Sequence, residues 1–299
     1  MRFYVFLTFI WLLASCSFKQ VFRLPAGEDD FVHVVLDIDW TIVAQIHEEN
    51  PRISKTNLIQ VGEETYRIKD WAREFVTALS KNPKVKISFF SGGGEPRNLE
   101  LLSKIKLMDG SQRSFLDISD KVLSYHHLTE VPENLRTGER FSDRFKKDLS
   151  KLGFKEGKTI MVDDNYRFAV NEVQEKHFLW LGPTYNHYEI FKEVPTGSLT
   201  EEEARFVPKN MDQWLLGRNK LAVIWDVMDE SIDDHFETGR PLHELVQAKA
   251  KQLDLSSGEV NEQLFESIDR GVNKLRRYGF QKGRVTRGDS CLLLIDSFL

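Results

Sequence analysis

The chain has 299 residues, 41% of them hydrophobic, and sets 41 lysines and arginines against 46 aspartates and glutamates for a net charge of −5. This is an ordinary globular composition, able to bury a sizeable core as one large domain or two small ones. The acidic balance and the lack of a dense Lys/Arg stripe interleaved with aromatics leave no footprint for nucleic acid, so no nucleic acid is expected as a partner.

Met1 and Arg2 precede an uncharged run, residues 3–14, that closes with Leu13-Ala14-Ser15-Cys16. The run is shorter than the ~20 residues a spanning helix needs and matches a secretory h-region, so residues 1–15 read as a signal peptide. A non-lipidated signal or a buried N-terminal helix is the competing reading. The last four of these residues resemble the lipobox of bacterial lipoproteins. That resemblance implies cleavage before Cys16, lipidation of its thiol, and a place in the bacterial cell envelope, anchored to a membrane on the periplasmic side. Residues 16–30, with Pro25, Gly27 and an acidic run, lack sustained periodicity and read as a tether. With Cys16 lipidated, Cys291 has no intramolecular partner; a Cys16–Cys291 bridge in an unprocessed chain is the alternative.

Residues 31–43 form an apolar, β-branched run that ends in Asp37 and Asp39, with Thr41 beyond them. A parallel strand is buried on both faces, so two carboxylates are tolerated only at its C-terminal tip, where open α/β sheets bind ligands. Two readings fit Asp-x-Asp-x-Thr. In one, a carboxylate attacks phosphorus while its neighbour handles the leaving-group proton; in the other, the strand simply ends in an Asx-type turn. A polar, Pro-stopped connection at 47–51 leads to two short strand-like runs around Gly62, a hairpin lying near the site.

Asp70 is expected to cap a helix that places Trp71, Phe75, Val76 and Leu79 on one apolar face and stops at Pro83. Residues 85–90 are the next strand, running into Ser91-Gly92-Gly93-Gly94 and a helix begun by Pro96 with Leu99, Leu102 and Ile105 buried. Such a turn presents a hydroxyl and free N–H groups to an anion, and its glycines do not have dinucleotide spacing. Residues 108–140 are irregular, with one strand-like run from Val122, and read as an insertion. Phe145, Leu149 and Leu152 predict a helix, ended by Gly153, that carries Lys146, Lys147 and Asp148. Strands at 158–165, ending in Asp163 and Asp164, and at 178–181 complete an alternation that implies an α/β fold with a doubly wound, mostly parallel sheet over residues 31–195.

Residues 196–299 form a helical C-terminal extension. Thr200 and Glu203 make a capping box, and Met211, Trp214, Leu215, Leu221, Trp225, Met228 and Ile232 recur at helical spacing as core positions. Further helices are expected at 241–253 and 259–278, and Asp226, Asp229, Glu230, Asp233 and Asp234 as a solvated helix face. Cys291 opens a last strand or packed tail.

Taken in order, Asp37-x-Asp39-x-Thr41, Ser91, Lys147 and Asp163-Asp164 resemble the four motifs of the haloacid dehalogenase-like (HAD) superfamily. The strings 147–153 and 159–165, with 66–75, resemble its NLI-interacting-factor-like branch, relatives of RNA polymerase C-terminal-domain phosphatases. The resemblance covers residues 31–185. It implies a HAD Rossmann-like fold and an acid-type phosphatase, a phosphoric monoester hydrolase in which Asp37 forms an aspartyl-phosphate and Asp39 is the general acid/base. Ser91 and the amides of Gly92 and Gly93 would bind phosphoryl oxygens, and Lys147, or alternatively Lys146, would neutralise charge. Mg²⁺ would be held by Asp37, Asp164 and the backbone carbonyl of Asp39, with Asp163 a ligand or an orienter. Trp40 and Ile68-Lys69 depart from the branch pattern and bear on the substrate. An exported lipoprotein does not meet RNA polymerase, so the implied partner is a phosphorylated small molecule or phosphoprotein, with no oligomeric state specified. A catalytically idle envelope lipoprotein with a binding or structural role is the competing reading.

Overall fold

The computed structural model describes residues 31–46, 57–255 and 261–279. The expected signal peptide, Cys16, the tether, the 47–51 connection and the tail with Cys291 lie outside them. Among the described residues no helix is long and apolar enough to cross a membrane.

Ten strands are described: β1 (Val32–Leu36), β2 (Val43–Ile46), β3 (Leu58–Val61), β4 (Glu64–Ile68), β5 (Val85–Phe90), β6 (Ser119–Leu123), β7 (Thr129–Glu130), β8 (Phe145–Lys146), β9 (Thr159–Asp163) and β10 (Phe178–Trp180). The longer helices are α1 (Ala72–Lys81), α2 (Glu95–Lys104), α3 (Met211–Thr238), α4 (Leu242–Leu253) and α5 (Glu262–Gly279). The central sheet is parallel throughout, in the order β10-β9-β1-β5-β6. In its register Val34 lies beside both Ile87 and Ile160, so β1, β5 and β9 end together along one edge.

Side chains alternate across this sheet as a two-period pleat requires. Val34, Leu36, Phe89, Ile160 and Val162 join the larger core under α1, α2 and α3. Val35, Phe90 and Met161 face the other way, onto Leu149, Leu152 and Phe178. Both faces are covered, which is why the β1 run is continuously apolar.

β6 corrects the expected insertion: residues 119–123 are the fifth strand of the central sheet. Its first half, Ser119-Asp120-Lys121, is partly or fully exposed because β6 is an edge strand, and that polarity hid it. Beside the sheet stands an antiparallel layer, β2-β4-β3, whose β3–β4 turn uses Gly62 at φ 57°.

α1 begins at Ala72, but Asp70 does not cap it. Arg67 and Arg218 hold its carboxylate at 2.7 and 2.6 Å, and Trp71 takes the N-cap position with a left-handed φ of 66°. Two cations outcompete a single amide for the carboxylate. In α2 the buried apolar residues are Leu101 and Leu102, while the expected Leu99 is half-buried. Ile105 is buried as expected, at the C-cap. The capping box of Thr200 and Glu203 is formed.

α3 is 28 residues long, capped by Asn210 and ended by Gly239 at φ 72°. Its Leu221, Trp225 and Met228 belong to the same core as the sheet, and Trp225 meets Phe75 of α1 edge to face at 6.1 Å. The acidic cluster on α3 is not a solvated face. Asp226 is buried and faces Ser267, Arg270 and Lys274 of α5, while Glu230 and Asp234 pair with Lys249 of α4.

His33, at the base of β1, is buried with Nε2 2.8 Å from Ser88 Oγ. Burial lowers its pKa to about 4, against a raising contribution from Asp120, with Lys86 and Lys121 adding to the lowering. The unfolded chain takes up this proton below about pH 6.5, whereas the folded chain resists until about pH 4. Stability is therefore lost as pH falls across that window, by about 3 kcal/mol from this residue. Urea unfolding at pH 7.5, 5.5 and 4.5 should show a shallower decline in His33→Gln than in the unsubstituted protein; equal slopes would refute the assignment.

Candidate active site

Three strand tips and one loop deliver the predicted residues to a single edge. Asp37 follows β1, Ser91 follows β5, and Asp163 ends β9 with Asp164 beyond it. Lys147 reaches them from an extended segment, which corrects the expected helix over 145–152. Phe145 and Lys146 form β8, the Lys147 amide donates to Phe168 O at 2.7 Å, and a 3-10 turn capped by Asp148 starts only at Leu149. The same geometry separates the two lysine candidates. Lys146 Nζ turns away to donate to Arg167 O at 2.6 Å.

Lys147 is buried and donates to Asp37 Oδ1 and to Asp163 Oδ2, both at 2.7 Å. Asp163 Oδ1 accepts from the Asn165 amide at 2.8 Å, so both of its oxygens are fixed. Thr41 Oγ1 donates to Asp37 Oδ2 at a longer 3.3 Å. Burial raises the Asp37 pKa well above the ordinary carboxylate range; Lys147 opposes this, and Asp163, Asp164 and Asp39 add to it. Asp164 is pushed up to about 7 by burial and by Asp163.

Asp39 is held quite differently. Ser91 Oγ donates to its Oδ2 at 2.8 Å, and the Arg97 guanidinium grips both of its oxygens. The Gly93 amide donates to Ser91 Oγ at 2.9 Å, and buried Asn98 donates to Gly93 O and Ser124 Oγ, which fixes the glycine turn. Arg97 lies over the Tyr66 ring and donates to its hydroxyl.

The residues present fit a hard divalent cation. Asp37, Asp163 and Asp164 each offer a carboxylate oxygen, all within 4.8 Å of one another, and among the described residues Lys147 is the one ammonium shown hydrogen-bonded to them. Three carboxylates against one bonded ammonium leave a negative excess in a buried site, and oxygen-only donors suit Mg²⁺. The Asp39 carboxylate stands outside this group, on Ser91 and Arg97.

Arg97 is the site residue that sequence reading missed. A cation in the first turn of a helix opposes the helix dipole and needs a facing anion; Arg97 on α2 beside a Gly-rich turn carried that signal. Lys69, read in the sequence only as a departure from the branch pattern, has its Nζ 5.1 Å from the Trp40 ring centroid, and burial lowers its pKa to about 8. Trp40 itself has φ 60° and stacks on Phe206 at 4.8 Å, a backbone position that bulky residues seldom occupy.

A parallel sheet ending in these carboxylates, a Ser-Gly turn and a bridging lysine is the arrangement that the resemblance to haloacid dehalogenase-like phosphatases leads one to expect. Residues 32–177 match the family model of the NLI interacting factor-like phosphatases. Among solved structures, Fcp1, an essential RNA polymerase II CTD phosphatase, is 13% identical over 73% of this chain and 70% of its own, with a TM-score of 0.39. Fission yeast Fcp1 bound to beryllium fluoride is 10% identical over 90% and 67%, with a TM-score of 0.34. No curated protein sequence matches the chain.

Proposed function

We propose that this phosphatase is a Mg²⁺-dependent phosphomonoesterase that works through a covalent phosphate on Asp37. The observation that carries the reading is the division between two carboxylates two residues apart. Asp37 is buried against Lys147, while Asp39 is half-exposed on Ser91 and Arg97. Pairs of acids kept in different environments are how one site runs nucleophilic and proton-transfer chemistry together.

In the first step an oxygen of Asp37 bonds to phosphorus as the ester P–O bond breaks, and Asp39 gives a proton to the departing oxygen. In the second, Asp39 takes a proton from water as that water attacks phosphorus, and the bond to Asp37 breaks. Ser91 and the Gly92 amide would receive the phosphoryl oxygens, joined by the Gly93 amide once it gives up its bond to Ser91 Oγ, and Lys147 would orient Asp37 and favour its charged form against burial. An arriving phosphoryl group competes with Asp39 for Arg97, which frees the acid to move its proton. Asp37 and Asp164 would hold Mg²⁺, with Asp163 orienting Lys147. Bound there, the ion would supply positive charge to the transferring group. Export and a lipid anchor at Cys16 belong to the same proposal and rest on the sequence of residues 1–16.

Purified protein should release inorganic phosphate from p-nitrophenyl phosphate with Mg²⁺, lose that activity in EDTA, and regain it when Mg²⁺ is restored. Absence of release with every divalent cation tried would favour the idle envelope lipoprotein instead.

A further inference from the structure

The chemistry above leaves unused a group of aromatic rings beside the phosphoryl cradle. Phe141 is 42% exposed and Tyr125 46%. Both are tied to the Ser91–Gly94 turn. A Cβ at Gly92 would lie 2.9 Å from the Phe141 ring, and the Tyr125 amide donates to Gly93 O at 2.9 Å. The two rings are 6.2 Å apart and each packs on Phe145, at 5.2 Å from Tyr125 and 5.0 Å from Phe141. Phe141 also meets Phe168 at 5.9 Å, and Phe168 lies 4.8 Å from Lys147 Nζ. A continuous aromatic wall therefore runs from the nucleophile's lysine to the surface.

Its position suggests its use. Rings exposed singly are ordinary on a protein surface, whereas contiguous ones mark a binding site. The Phe141 ring lies against Gly92 of the turn whose amides would hold the phosphoryl oxygens, with the Tyr125 ring beside it, and Gly92 has no side chain to keep Phe141 off that turn. A leaving group on phosphorus held between Asp37 and Ser91 has this wall beside it. A flat ring gains from offset or edge-to-face contact with such a wall, and a puckered aliphatic ring of equal size does not.

We propose that Phe141 and Tyr125 form a subsite for an aromatic ring in the leaving group, so that the preferred substrates are phosphomonoesters with a ring one or two bonds from the ester oxygen. The proposal rests on the phosphomonoesterase reading and adds its substrate class. Benzyl phosphate and cyclohexylmethyl phosphate test it, because both release a primary alcohol and differ in the flatness of the ring. The full-length protein should favour the benzyl ester about threefold to tenfold in kcat/KM, with the difference in KM. Phe141→Leu and Tyr125→Leu, which keep apolar bulk without the ring, should each draw that ratio towards one. A ratio of one in the unsubstituted protein, or one unmoved by both substitutions, would overturn the subsite. Should neither ester turn over, the phosphomonoesterase reading fails separately. Calorimetric Kd values for benzylphosphonate and cyclohexylmethylphosphonate then decide the subsite alone: tighter benzylphosphonate binding upholds it, and equal affinities overturn it.

Discussion

Asp37→Asn is expected to lower phosphomonoester hydrolysis by a factor on the order of 10⁴ or more, to the background of the assay. An amide matches the carboxylate in size and can still accept from Lys147, but it cannot form the phosphoryl–enzyme bond. The substitution also removes one negative charge from three carboxylates lying within 4.8 Å. Less mutual repulsion should leave the melting temperature equal or higher, so lost activity would not reflect lost folding. Phosphate release and thermal melting, measured on the same preparation, check both halves. Retention of more than about one part in a hundred of the activity would place the nucleophile elsewhere.

Asp226→Ala should cost about 3 kcal/mol of stability, a large loss for a single change outside the site. The Asp226 side chain is 3% exposed, with Ser267 Oγ at 2.8 Å, Arg270 at 3.0 Å and Lys274 at 3.0 Å. Truncation strands the buried Ser267 hydroxyl and removes the charge against which two cations of α5 are set. The loss should stay at the lower end of the range for buried pairs, since Lys274 keeps Asp229 and Glu230 and Arg270 keeps Glu266. For a domain of this size the melting temperature should fall by roughly 6–12 °C, with Asp226→Asn in between because it can still accept from Ser267. A melt within about 1 °C of the parent would show that the network adds little.

What could be read in the sequence follows from how local each cause is. β1, β5 and β9 were legible because strands buried on both faces must be apolar at every position. The site residues were legible because carboxylates at the end of such strands are costly and need a reason. Lys147 was recognised and its setting misread. Phe145, Leu149 and Leu152 have helical spacing, yet the chain extends at Lys147 to lay it against Ala169 and into the carboxylates. Tertiary pairing overrode a short periodic signal. The α3 acids looked solvated because their cations, Lys249, Arg270 and Lys274, are far away in sequence and meet them only after three helices pack. Arg97 and β6 were hidden for related reasons: one pairs across 58 residues, and the other is an edge strand with a polar half.

The depth at which Trp225 sits bears on how the protein can be cut and recombined. Motif spacing suggests a portable catalytic cassette ending near residue 177, where the family match stops. Leu216, Leu221, Trp225 and Met228 nevertheless fill the same interior as β1 and α1. A gene fragment ending before α3 would leave Phe75 and its neighbours facing water. Such a fragment would be a poor unit for expression, domain grafting or evolutionary shuffling, because the cassette and its helical partner are inherited as one folded piece.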